Sequence, residues 1–116
     1  MRRHLLFLIV FLMVASALGC AKQDDAEKLR KSVNSWRATL QLVADARLRD
    51  SIPKRLARVT IEEAVDDLSG RTARPSIPRP VAVRAERIIG IAASLHDAVE
   101  HDDRDAIARA RGELGR

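Results

Sequence analysis

The chain is predicted to fold as an all-α protein, a small antiparallel bundle of two helical hairpins built from three to four helices. Three observations carry this. Apolar residues recur at alternating spacings of three and four, the signature of a stripe along a helix. The composition is rich in Ala, Leu, Arg, Glu and Asp, which favour helices or their ends. Aromatic residues are scarce, with one Trp, two Phe and no Tyr, which disfavours both sheets and base-stacking surfaces.

The first helix runs from about Asp24 to Arg49. Its apolar positions are Ala26, Leu29, Val33, Trp36, Leu40 and Val43. Asp24, Asp25 and Glu27 fall in the expected first turn and Arg47 and Arg49 in the last, the order that opposes the helix dipole. Ser51-Ile52-Pro53 reads as a tight connection, with Ser51 as cap and Pro53 in the first turn of the next helix. The second helix spans about Ile52 to Ser69 with Ala57, Ile61, Ala64 and Leu68 as its stripe. Val65 lies beside the stripe, Leu56 and Val59 form a second face for another neighbour, and Gly70 supplies the C-cap. Residues 24–69 thus form the first hairpin.

Residues 70–80, GRTARPSIPRP, contain three prolines and three arginines, and read as a partly extended, unpacked linker. The strongest stripe follows, Val81, Ala85, Ile88, Ala92, Leu95 and Val99, so a third helix is predicted from about Arg79 to His101. Ile89 and Ile91 widen its apolar face, and Ile91 is expected to stand exposed beside the stripe. Asp102 and Asp105 resemble a capping pair, after which Ile107, Ala110 and Leu114 make a short fourth helix; the alternative is a third helix that continues to the end. Residues 81–116 form the second hairpin, and 24–116 make one domain. The spacings of the first and third helices fit an intramolecular bundle and a coiled coil between chains equally well.

The N-terminus carries a different signal. Arg2-Arg3-His4 precedes an apolar run from Leu5 to Leu18, which is shorter than the roughly 20 residues a spanning helix needs and of the length of a signal-peptide core. It ends in Ser16-Ala17-Leu18-Gly19-Cys20-Ala21-Lys22, with the only cysteine of the chain. This order resembles the lipobox of bacterial lipoprotein precursors, in which a Leu-like residue and two small residues precede a Cys that is acylated before cleavage. Gly19 and Cys20 match that pattern; Ala17 and Leu18 stand where it more often has Leu and then Ala or Ser. The alternatives are an uncleaved signal anchor and an ordinary secreted protein cut near Ala17 or Gly19.

The resemblance implies that residues 1–19 are a cleaved signal peptide, that residues 20–23 are a lipidated tether, and that acyl chains on Cys20 hold the protein to a membrane. Two or three chains make such an anchor stable where one does not. It places the protein in the bacterial cell envelope. Ala21, where an Asp would retain an enteric lipoprotein in the inner membrane, resembles sorting to the periplasmic face of the outer membrane. Cleavage leaves 116 − 19 = 97 residues, one small domain, and removes Arg2 and Arg3, so the side-chain charge falls from 21 − 16 = +5 to 19 − 16 = +3. Both Phe residues leave with the signal, and Trp36 becomes the sole aromatic.

Candidate chemistry is sparse. His96 with Glu100, and Asp97 with His101, sit at i, i+4, a spacing able to ligate a metal, but no third ligand accompanies them. Glu62, Glu63, Asp66 and Asp67 offer paired carboxylates, read as an exposed face salt-bridged to arginines such as Arg55 and Arg58. Asp102-Asp103-Arg104-Asp105 lacks the glycine of a calcium loop. Without a nucleophile–base pair or a phosphate-binding glycine loop, no enzyme activity, cofactor, metal or nucleic-acid partner is expected. The sequence favours a membrane-anchored structural or protein-interaction module with an envelope protein partner. Trp36 reads as core, with a partner-facing anchor as the alternative. Two rival functions are a ligand-binding or sensing domain and a contact with anionic lipid or cell-wall polymer through Arg71, Arg74 and Arg79 of the linker, joined by Arg84 and Arg87.

The stripes predict that Leu40→Asp or Ile88→Asp unfolds the domain, because a lone buried carboxylate costs several kcal/mol, comparable with the whole stability of a small domain. Glu63→Gln should leave the melt unchanged. Thermal melts followed by circular dichroism compare the three.

Overall fold

The computed structural model describes residues 24–116 in full and, for residues 2–23, only their place in the first helix. The chain forms a four-helix bundle of α1 (Arg2–Leu48), α2 (Lys54–Thr72), α3 (Arg79–Glu100) and α4 (Arg104–Leu114), with no strand among the described residues. The reading of residues 1–23 as signal and tether, Cys20 included, lies outside the fully described residues. No helix among the described residues is long and apolar enough to cross a membrane.

Each helix packs on its neighbours in the sequence, α4 closes back on α1, and α1 touches α3 across the middle, while α2 and α4 do not meet. Connections this short make successive helices antiparallel, so α1 and α3 run parallel along the short diagonal. The core is the set of stripes read from the sequence: Leu29, Leu40, Ile61, Leu68, Leu95, Val99 and Leu114 are its largest fully buried side chains. Nine of the 22 buried residues among those described are Ala, which keeps the helix axes close. Trp36 is half-buried and packs on the edge of this core.

Ile91 is a correction. It is buried at 6% exposure instead of standing free beside the stripe, because α3 faces α1, α2 and α4 at once and buries a wider arc than one stripe. Leu56 and Val59 err in the other direction: α2 does meet two neighbours, α1 and α3, but it buries the single stripe Ala57, Ile61, Ala64 and Leu68 against them, and Leu56 and Val59 are exposed.

The helix ends also differ from expectation. The bounds of α1 include residues before Asp24, so the acidic residues there are not a first turn; Asp24 instead pairs with Lys28 at 3.0 Å. At the far end of α1, the Asp50 N–H donates to the Arg47 carbonyl and the Ser51 N–H to the Ala46 carbonyl, with Asp50 at φ 53°. This is a Schellman motif with aspartate in the left-handed position usually taken by glycine. Ser51 belongs to this stop and does not cap α2, and Pro53, whose side chain cannot accept a bond, occupies the N-cap.

The end of α3 repeats the device: Asp102 sits at φ 51°, its N–H donating to Val99 and that of Asp103 to Ala98. The helix therefore stops, and α4 is separate. Its cap is Asp103, whose Oδ1 accepts from the Ala106 N–H at 3.1 Å, not Asp102 paired with Asp105. The two turns lie side by side. Asp102 meets Arg47 at 3.4 Å and Lys54 at 3.2 Å, while Asp50 meets Arg104 at 3.7 Å. The first residue of each hairpin's second helix thus pairs with the left-handed aspartate of the other hairpin, which offsets the cost of a cation at a helix N-terminus.

The linker is shorter and better packed than its composition suggests. α2 continues past Gly70 to Thr72, where Thr72 Oγ1 donates back to Leu68 and Arg71 pairs with Asp67. Gly70 therefore is no C-cap. Pro75 disfavours helical geometry at Arg74, so α2 does not extend beyond its cap at Ala73. The connection comprises Ala73–Pro78, with Ile77 packed on the core and Ser76 and Arg74 held by Asp25 of α1. The hydrogen bond from Ser76 Oγ, at 2.8 Å, is the chief cause that holds the Asp25 carboxyl below its ordinary 3.8, and Arg74 adds to it against a partial loss of hydration.

Two outcomes follow from these ends. Asp102→Gly keeps the left-handed turn and loses only exposed pairs, each of a few tenths of a kcal/mol, whereas Asp102→Val should destabilise by about 1–2 kcal/mol because a β-branched side chain clashes there; chemical denaturation separates them. A carboxyl depressed in the folded state stabilises above its unfolded pKa and loses that contribution as pH falls. Asp25→Asn should therefore lower Tm near neutral pH, and the gap from the parent should close as pH drops below about 4.

Candidate functional site

The basic residues expected to form one unpacked surface are dispersed by the fold. Arg71 lies in the last turn of α2 and pairs with Asp67 at 3.1 Å. Arg74 pairs with Asp25 at 3.0 Å. Arg79 opens α3 and reaches Glu86 at 3.6 Å. Each guanidinium has a carboxylate beside it, and the three do not converge.

Nor do the histidines and carboxylates assemble. His96 Nε2 lies 3.0 Å from Glu62 across the α2/α3 groove instead of turning to Glu100, which pairs with Arg58 at 2.8 Å. His101 Nδ1 sits 2.8 Å from the Asp97 carbonyl oxygen, the main reason its pKa is raised above 6.5, with the Asp97 carboxylate at 3.3 Å as the second. Among the described residues no three groups of metal-ligating type come together. The acidic run of α2 is not bridged to Arg55 and Arg58 as expected: Asp67 accepts from Trp36 Nε1 at 2.8 Å and from Arg71, and Glu62 faces His96. Trp36 is therefore a core-edge residue whose polar end is held by α2.

One groove stands out by its charge. It runs between α1 and α3 toward the end of α4, has a volume of about 350 Å³, and is lined by Val33, Asn34, Arg37, Arg84, Arg87, Ile88 and Arg116. A smaller hollow of about 60 Å³, sharing Val33, Asn34 and Arg84, extends it to Arg30 and Val81. Its floor is apolar, since Val33, Val81 and Ile88 are core residues. Its rim is cationic. Arg30 has Glu27 at 3.9 Å, but no carboxylate among the described residues pairs with Arg37, Arg84, Arg87 or Arg116.

Two of these arginines have a partial structural role. Arg37 Nε donates to the Leu114 carbonyl, and Arg87 donates to the Glu113 carbonyl at 2.9 Å, so both cap the C-terminus of α4. Each retains further N–H groups, because a guanidinium carries five. Arg84 makes no hydrogen bond or ion pair within the described residues. It shares a face with Arg87 at i, i+3, an arrangement of like charges that costs a few tenths of a kcal/mol in an isolated helix.

Arg84 and Arg87 were visible in the sequence as basic residues of the third helix. Arg30, Asn34 and Arg37, at spacings of four and three, form a polar stripe on α1 that looks like any solvated face, because nothing in the sequence tells which helix faces it. No family model matches this chain, and neither the curated proteins nor the solved structures contain a significant match to it.

Proposed function

We propose that this protein is a non-enzymatic lipoprotein of the bacterial cell envelope, anchored through acyl chains on Cys20, whose helical bundle serves as a structural or protein-interaction module. The observation that carries the reading is the apolar run Leu5–Leu18 followed by Gly19-Cys20. In support, the domain beyond it buries its own stripes and so has no need of the membrane for folding. A protein partner would be met through the helical faces. Ile91 is unavailable for that role, and the large apolar side chains that reach solvent are Leu42, Leu56, Val59 and Val83. With Ala21 after the acylated residue, the periplasmic face of an outer membrane is the favoured site where the host has one.

In a bacterial host fed a labelled fatty acid, the parent chain should incorporate label and partition into detergent. Cys20→Ser should incorporate none and accumulate as an unprocessed precursor still bound to membranes. A cleaved, soluble product with a free Cys20 thiol would overturn the proposal.

A further inference from the structure

We propose that the groove between α1 and α3 binds a phosphate-bearing anion, held by the guanidinium groups of Arg37, Arg84, Arg87 and Arg116 over the apolar floor of Val33 and Ile88. The argument is one of charge and geometry. Among the described residues outside the groove, Arg47, Lys54, Arg58, Arg71, Arg74, Arg79, Arg104 and Arg111 each have a carboxylate within 4.0 Å, and Lys31, Arg49, Arg55 and Arg109 have none. The groove concentrates four arginines with none.

Guanidinium forks bind phosphate oxygens in parallel pairs, and the binding gains strength where water is displaced by an apolar floor. Arg37 and Arg87 are already fixed through the carbonyls of α4, so less side-chain freedom is lost when their remaining donors engage a ligand. Asn34, exposed on α1 between the two hollows, adds an amide that can donate to a phosphate or accept from a hydroxyl beside it.

The phosphate could belong to a lipid headgroup or to a soluble compound. Arg30 follows Cys20 by ten residues, a reach of about 15 Å as helix and about 35 Å fully extended, so an anchored chain would hold the groove near a leaflet. The site itself does not depend on the anchor.

The test uses the full chain in non-ionic detergent, titrated calorimetrically with inorganic pyrophosphate and, separately, with the same micelles doped with phosphatidylglycerol or with phosphatidylcholine. Binding of pyrophosphate would identify a soluble phosphate; binding of phosphatidylglycerol micelles alone would identify a lipid headgroup. In either case Arg84→Gln with Arg87→Gln should weaken binding about a hundredfold, tenfold for each charged hydrogen-bonding group removed. Arg55→Gln with Arg109→Gln, an equal charge loss outside the groove, should change it by no more than about twofold, as expected for screened distant charges. Melts confirm that each variant is folded. Should the double variant unfold, Arg84→Gln alone, which removes no hydrogen bond or ion pair among the described residues, is expected to lose about tenfold. Absence of binding in both phosphate arms, equal binding of phosphatidylcholine micelles, or equal loss in the Arg55/Arg109 variant would overturn the proposal.

Discussion

Burial of Leu29, Leu40, Ile61, Leu68, Leu95, Val99 and Leu114 against one another is the interaction on which the rest of the domain rests. Each such side chain contributes about 1.5–3 kcal/mol when fully removed from water, whereas an exposed ion pair contributes about 0–1 kcal/mol. The stripes therefore decide which helices meet, and the charges accommodate the result. No helix can bury its stripe alone, and α1 and α3, at the centre of the arrangement, each depend on three neighbours.

Once the helices are placed, the ends and the charged faces follow. The left-handed aspartates Asp50 and Asp102 stop α1 and α3 at the same end of the bundle, and their carboxylates reach the cations at the starts of α4 and α2. At the other end Asp25 ties the proline-containing connection to α1. These contacts are individually weak, yet together they set the register of the two hairpins. They also consume most of the carboxylates near those ends.

The α1/α3 face is where four arginines without a carboxylate partner among the described residues line one groove. Its arginines are exposed or half-exposed, so their mutual repulsion is screened by water and salt and the fold tolerates it. Capping of α4 by Arg37 and Arg87 accounts for part of the charge there, and among the described residues the side chains of Arg84 and Arg116 have no hydrogen-bond or ion-pair partner. A groove with an uncompensated cationic rim raises the local concentration of anions, and its guanidinium forks match the geometry of phosphate oxygens.

The sequence by itself determined the all-α class, the four stripes and the two hairpins, because helical periodicity is a local property written at spacings of three and four; whether the last stripe is a separate helix stays open in the sequence and is decided by the left-handed turn at Asp102, which ends α3. It also supplied the lipobox-like segment, on which the tertiary structure is silent. The tertiary structure alone decided that Ile91 is buried and Leu56 and Val59 are exposed, since the width of a buried arc depends on how many neighbours a helix has. It decided likewise that Gly70 lies inside α2 and that the linker arginines are paired. The convergence of Arg37 from α1 with Arg84 and Arg87 from α3 was not legible in advance: each sits on a polar face that looks like any solvated one until the packing of α1 against α3 sets the two faces side by side.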